Sequence, residues 1–277
     1  MMVEMSHAKE FKENGFTIAR DFFKPEEIVW MIEETESVGG QSELGKGALR
    51  FYHNSYQRSE RLRSLLTQRR LIDFLTPIAG PDFWIHGDQT VYKGPGAPEF
   101  PWHQDNAYSH LRVQHFQLWI ALSKMDASRG GLWLVPGSHK NGLLAHRTIG
   151  NHKVYQGSTE GRTCIDAEVG DLVLFSSWML HYTSPNVSTF DRYAYVVEFM
   201  QLDELNPFKQ PPFFVVSRGG EPCSEFTNSL PAHKVSSNQF KYAGTKIGLA
   251  GKRALRKVGL KSLGDWGGDI VCKFLRW

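Results

Sequence analysis

The chain is short of cysteine: its 277 residues hold three, Cys164, Cys223 and Cys272. They are odd in number, widely spaced and free of any CxxC pair. That usage argues against a disulfide scaffold or a zinc knuckle and fits a reducing compartment. Long apolar runs are also lacking. No stretch approaches the roughly 18 apolar residues of a spanning helix. The opening MMVEMSHAKEF carries early acids and no apolar run, so it does not read as a secretory signal. The expectation is a soluble, cytoplasmic protein. Charge of one sign is scarce over the chain as a whole, at a formal net +3, and nucleic acid is not an expected partner. There is no HExxH, so a zinc protease of that type is unsupported. No internal repeat and no low-complexity segment occurs.

Aromatic residues, by contrast, are plentiful, with 8 Trp and 18 Phe to fill a core. The length suits one domain, since single all-β barrels and sandwiches routinely reach it. The little net charge is unevenly placed. From Lys241 to Trp277, nine Lys or Arg stand against two Asp, so this tail carries +7 and the rest of the chain −4.

Patterning divides the chain. The first eighty residues read as mainly helical. A short strand, Phe16 to Ala19, follows the turn at Asn14-Gly15. Lys24-Pro25-Glu26-Glu27 opens a helix with proline and acids in its first turn, running to about Val38, where Gly39-Gly40 stops it. A second helical stretch is expected from Glu60 to about Ile78, on the spacing of Leu62, Leu65, Leu66, Leu71, Phe74 and Leu75. Beyond Gly80-Pro81 the pattern turns to short β-branched and aromatic runs: 83–92, 116–122, 132–135, 172–175 and 192–200. Several short strands parted by turn residues predict a β-sandwich or barrel. An irregular, basic extension is expected from about Pro212 to the end.

The richest segment is Pro101-Trp-His103-Gln-Asp105-Asn. In extended chain, residues i and i+2 project to one side, so His103 and Asp105 can offer an imidazole and a carboxylate to one ion. His181, after Gly170-Asp171 and the 172–175 strand, is the best candidate for a third ligand; His110, His115 and His139 compete with it. Two histidines and one carboxylate leave positions open on iron(II), the arrangement of non-haem iron oxygenases. A lone HxD is also a common structural accident among eleven histidines. Arg192 follows His181 by eleven residues, across Pro185-Asn186. A strand, a turn and a returning strand can bring both to one cavity, where a guanidinium grips a carboxylate through two parallel hydrogen bonds. The competing reading pairs Arg192 with Asp191 or Glu198 at a solvated surface.

The ordered set of WHQD at 102–105, LWIAL at 118–122, GGLWLVPGSHK at 130–140, GDLVLF at 170–175 and His181 with Arg192 resembles the phytanoyl-CoA dioxygenase family. The opening NGFTIARDFF at 14–23 is similar to that family's too, and the resemblance covers about residues 8–205. It implies a mainly β fold with flanking helices: a double-stranded β-helix, the cupin-like jelly roll, under an N-terminal helical layer, the whole chain forming one dioxygenase domain. It implies iron(II) on His103, Asp105 and His181, 2-oxoglutarate as co-substrate with its far carboxylate on Arg192, and O2 as oxidant. Thr183 matches a hydroxyl position assisting Arg192, Trp119 an aromatic lining the co-substrate pocket, and Gln89 a pocket position on the strand before HxD. Trp119 as plain core packing and Gln89 as an ordinary strand residue remain open. Related halogenases replace the acidic ligand with a small residue; Asp105 is present, which favours hydroxylation.

For substrate contact, Asn106, Tyr108, His110 and Arg112, which directly follow HxD, are candidates, with Lys93 and Arg147 beside them; the alternative for each is a solvated loop. This mixture suits a small polar or anionic metabolite. The basic tail can cover the site, bind an acidic partner or touch a membrane surface, or be a solvated helix packed on the barrel, although Gly244, Gly248, Gly251, Gly259 and Gly264 argue against one regular helix. Three rival readings stand: a family member that keeps the fold without turnover, a cupin-type metal enzyme that does not use 2-oxoglutarate, and nucleic-acid binding through the basic tail, which would show as salt-dependent affinity.

Overall fold

The computed structural model describes residues 2–39, 47–109, 111, 113–204, 206 and 209–231. The chain divides into a unit Met1–Ala232 and a unit His233–Trp277. The first is described below; the basic tail lies outside the described residues.

The N-terminal part is helical around two short strands: α1 Met2–Asn14, β1 Phe16–Ala19, α2 Pro25–Gly39, β2 Leu49–His53, α3 Ser55–Arg58, α4 Glu60–Leu66 and α5 Arg69–Ala79. The start of α2 is fixed as its sequence suggests: the Lys24 N–H donates to the Glu27 carboxylate at 2.9 Å, a capping-box bond. The stretch expected as one helix from Glu60 is two. Thr67 closes α4 by donating its hydroxyl to Arg63 O at 3.1 Å, and Gln68 is extended at φ −64°, ψ 137° before α5 begins. The apolar spacing runs through this break, so the pattern alone did not reveal it.

The β region follows: β3 Phe83–Lys93, β4 Phe100–His103, a single turn α6 Asn106–Ser109, β5 Phe116–Ala121, β6 Leu132–Leu134, β7 Arg147–Ile149, β8 His152–Val154, β9 Thr163–Cys164, β10 Leu172–Ser176, β11 His181–Thr183, β12 Arg192–Gln201, β13 Phe213–Arg218 and β14 Glu221–Thr227. The large sheet runs β1-β10-β5-β12-β3-β13-β14, with β2 also on β3; the small one runs β4-β11-β6-β9. β7 and β8 form a separate hairpin. Along the chain β3, β5, β10 and β12 enter the large sheet while β4, β6, β9 and β11 enter the small one, two four-stranded walls of a jelly roll.

Strand alternation gives each face its contents. The inward face of the large sheet packs Val91, Trp119, Ala121, Ala194 and Val196 with Leu132 and Leu134 of the small sheet. The outward face buries Leu118, Ile120, Leu174, Tyr195 and Val197 under Leu62, Leu65, Ile72 and Leu75 of the helical layer. On β12 this puts Arg192, Ala194, Val196 and Glu198 on the barrel side.

The segment after Pro212, expected to be irregular, begins with a hairpin. β13 joins β3, and β14 joins β13. Gly219 and Gly220 turn it, with φ +59° and +78°. Two consecutive positive φ values are what a tight hairpin turn needs and glycine supplies without strain.

Candidate active site

β4 and β11 are antiparallel neighbours whose register sets His103 opposite His181. Their rings lie 4.0 Å apart, centre to centre. Asp105, two residues past His103, turns its carboxylate to both: Oδ1 is 3.6 Å from His103 Nε2 and 3.7 Å from His181 Nε2. The donor atoms of the three all fall within 4.8 Å of one another.

Tautomers follow from the outer contacts. His103 Nδ1 is 2.7 Å from Pro101 O, and His181 Nδ1 is 3.0 Å from Met179 O. A carbonyl only accepts, so each Nδ1 donates and each Nε2 is left with its lone pair facing the carboxylate. Burial, with His103 adding to it, pushes His181 down to about 4, so it is neutral at pH 7. Burial works to raise the Asp105 carboxyl, but the nearby His181 and then His103 outweigh it and hold the group below its ordinary range. Asp105 Oδ2 is buried without a hydrogen-bond partner. Two imidazoles, a carboxylate held below its ordinary range and an unused buried oxygen form a donor set that fits iron(II).

Arg192 opens β12 and is fully buried. All three of its guanidinium nitrogens lack a hydrogen-bond partner, while the group lies 5.3 Å from the centre of the Trp119 ring. Burial alone lowers it to about 9, so it stays charged at pH 7. A surface pairing is thereby excluded: Asp191 takes the Tyr92 hydroxyl at 2.9 Å, and Glu198 is 2.6 Å from His86. A buried cation with every donor idle is a site made for an anion.

Trp119 packs in the core and against Arg192. It donates Nε1–H to Met125 Sδ at 3.1 Å. Thr183 is buried on β11, and Gln89 lies opposite Val196, on the same side of β3 as Val91 and Lys93.

The substrate candidates scatter. Lys93 does not face a loop. It is fully buried, opposite Arg192 in register, and its ammonium donates to Ser184 O at 2.6 Å and Thr183 O at 3.2 Å. Burial, then the charge of Arg192, drops it to about 6. It therefore belongs to the anion end. Gly130 makes room there: at φ +68°, an added Cβ would meet Lys93 Cδ at 2.8 Å. Arg147 opens β7, which is exposed along its length. Asn106 is buried and clamps its own loop, donating to Leu111 O at 2.7 Å and Val113 O at 2.8 Å. Tyr108 is nearer the expectation, half-exposed and edge-on to His103 at 5.6 Å. His110 and Arg112 lie outside the described residues.

A second group went unread in the sequence: His86, His115 and Glu198. Period two along β12 carries the signal for Glu198, since it shares the face of Arg192, Ala194 and Val196. No local pattern announces His86.

A jelly roll holding two histidines, a carboxylate and a buried free arginine defines a class, the 2-oxoglutarate-dependent dioxygenases. Comparison with known proteins agrees. The profile of the family described as Phytanoyl-CoA dioxygenase (PhyH) matches residues 11–194. A probable alpha-ketoglutarate-dependent hypophosphite dioxygenase of Stutzerimonas stutzeri is 24% identical over 227 residues, 70% of this chain and 78% of that one. An ectoine dioxygenase of Nocardia farcinica is 22% identical over 262 residues, 79% of this chain and 87% of its own. The crystal structure of EvdO2 from Micromonospora carbonacea var. aurantiaca complexed with 2-oxoglutarate has the same fold: TM-score 0.60 at 21% identity, over 71% of this chain and 90% of that one. The chain belongs to the phytanoyl-CoA dioxygenase family. It is an iron(II)- and 2-oxoglutarate-dependent dioxygenase that takes O2.

Proposed function

We propose that the protein hydroxylates an unactivated C–H bond of a small polar metabolite, with His103, Asp105 and His181 holding iron(II) and Arg192 holding the far carboxylate of 2-oxoglutarate. The observation that carries the reading is Arg192, buried with three idle nitrogens in the barrel whose other strands supply the donor triad. Iron(II) at this site would let O2 act as the oxidant, with 2-oxoglutarate giving two electrons as it goes to succinate and CO2 and the substrate C–H giving the other two.

The chain's own residues do the placing. Pro101 O and Met179 O fix the tautomers of the two histidines. Trp119 backs the guanidinium, Thr183 and Gln89 line the co-substrate pocket, and Lys93 sets an amine beside Arg192 that burial and the arginine's charge keep mostly neutral above about pH 6. Asp105 fills the position that a halogenase keeps small, which supports hydroxylation. Tyr108, together with His110 and Arg112, is assigned to the substrate side. Relatives named for ectoine, hypophosphite and methylphosphonate support a small polar substrate. Among the described residues no helix is long and apolar enough to cross a membrane. Cys164 and Cys223 are free thiols, in keeping with a reducing cytoplasm.

The test is succinate release from 2-oxoglutarate, with iron(II) and a panel of small amines, amino-acid derivatives and phosphonates, products read by mass spectrometry. The reading expects one class to couple succinate to a product one oxygen heavier, with no turnover in Asp105→Ala. Succinate production that survives in Asp105→Ala, or products carrying chlorine, would overturn it.

A further inference from the structure

His86, His115 and Glu198 repeat the donor types of the first triad, again with one atom from each within 4.8 Å of the others. They come from β3, the residue before β5, and β12. Pairing of β12 with β3 slips between Glu198 and Phe199, so that Glu198 faces Gly87, Phe199 faces Ile85 and His86 is the extra residue. Such a bulge re-aims a side chain; here it brings His86 Nδ1 within 2.6 Å of Glu198 Oε2. His115 Nε2 approaches the same oxygen to 3.8 Å, too far for a hydrogen bond.

Hydrogen bonding accounts for His86 and leaves His115 unexplained. His86 donates Nδ1–H to Glu198 and accepts at Nε2 from Asn206 Nδ2 at 2.8 Å. His115 is 1% exposed, and its Nδ1 has no partner. Directly across from Glu198 on β5, Gln117 is also buried with Oε1 unpartnered. The His115 nitrogen turned to Glu198 is Nε2, so the orphan that bears on this group is the Gln117 oxygen opposite Glu198, a buried polar atom that calls for a partner.

We propose that His86, His115 and Glu198 bind a second divalent transition-metal cation, separate from the one at His103, Asp105 and His181. The protonation states suit it. Burial, then His86, holds His115 neutral at about 4, and the two histidines outweigh burial to keep the Glu198 carboxyl far below its ordinary range. Bonds of about 2.1 Å to nitrogen and oxygen set neighbouring donors about 3 Å apart, so the 2.6 Å and 3.8 Å contacts need only even out. To bind through Nδ1, His86 must carry its proton on Nε2. There the Asn206 amide, turned over, accepts it through Oδ1, the outer-shell contact that metal-bound histidines commonly make. Lys209 opposes the ion, since its charge also acts on Glu198 and His115. The site is therefore weaker than the first, and an ion in it would tie the β3 bulge to β12 and to Asn206.

The experiment uses the full chain, stripped with a chelator and titrated with cobalt(II), followed by elemental analysis and anomalous diffraction at the cobalt edge. Wild type is expected to take two equivalents, the second more weakly. Combined His103→Ala and His181→Ala should leave one. His115→Ala and the shape-preserving Glu198→Gln should each remove only the weaker equivalent, and Lys209→Met should tighten it. Saturation at one equivalent overturns the proposal, as does the absence of an anomalous peak between these three side chains. Either outcome would leave the first triad untouched, since the double variant reads that site separately.

Discussion

Replacing Arg192 with Met should make the free protein more stable while removing its hold on 2-oxoglutarate. The structure buries this guanidinium with no acceptor on any nitrogen. Its fall from 12.5 to about 9 converts to roughly 5 kcal/mol at about 1.36 kcal/mol per unit. The sign is unfavourable to folding. The folded-state value is the depressed one, so the penalty is complete below about pH 9 and fades only toward 12.5. Apolar replacements of buried charges gain about 1–4 kcal/mol in practice. At about 2–4 °C per kcal/mol for a domain of this size, the midpoint of thermal unfolding at pH 7.5 should rise by several degrees. The effect on binding has the opposite sign. Truncating one partner of a buried charged pair costs about 2–5 kcal/mol, or about 30-fold to several-thousand-fold in affinity. Thermal unfolding with iron(II) under argon, with and without 2-oxoglutarate, reads both. Wild type should gain stability with the ligand; Arg192→Met should start higher and gain none. A variant that melts lower than wild type yet still responds to 2-oxoglutarate would refute the reasoning.

Lys93→Met tests the neighbouring amine through pH. The Lys93 value falls from 10.5 to about 6, so between those limits the unfolded chain binds the extra proton and stability rises with pH. Denaturant melts at pH 6.5 and 9 should show that part of the rise missing in the variant. Gly130→Ala forces a Cβ to 2.8 Å from Lys93 Cδ and 3.3 Å from Ser184 O at a positive φ. The expected outcome is a loss of about 1–3 kcal/mol in stability, with a raised KM for 2-oxoglutarate. Asn106→Ala removes two bonds to the carbonyls of Leu111 and Val113, which should destabilise the fold by about 1–3 kcal/mol and speed proteolysis after His103, measured by limited digestion. His181→Ala should remove the tighter iron equivalent while circular dichroism stays native.

Much of the fold was legible because strand alternation and turn residues are local signals. The β3, β5, β6, β10 and β12 strands fall within a residue or so of their expected places, as do β1 and α2. The misses are local signals overridden or overlooked. The apolar spacing from Leu62 to Leu75 continues across a helix break made by Thr67 and Gln68. The hairpin after Pro212 was announced by Phe213 to Val216 and Gly219-Gly220, but the basic tail drew attention to the region as irregular. In the site, His103 and Asp105 are close in sequence, so their spacing spoke. Lys93 shows the limit: its type suggested a substrate contact, whereas the β3–β12 register, a long-range property, puts it against Arg192. The His86 group depends on a bulge that no sequence pattern marks.

The most direct test of the central claim is an anaerobic titration of the metal-free protein with iron(II) and then 2-oxoglutarate, watching for the visible metal-to-ligand charge-transfer band of the chelate. His103→Ala and Arg192→Met are run beside wild type. The account predicts a band in wild type, none in His103→Ala, and one in Arg192→Met that appears only at far higher 2-oxoglutarate. Iron bound tightly by wild type with no band at any 2-oxoglutarate concentration would contradict the assignment of this site.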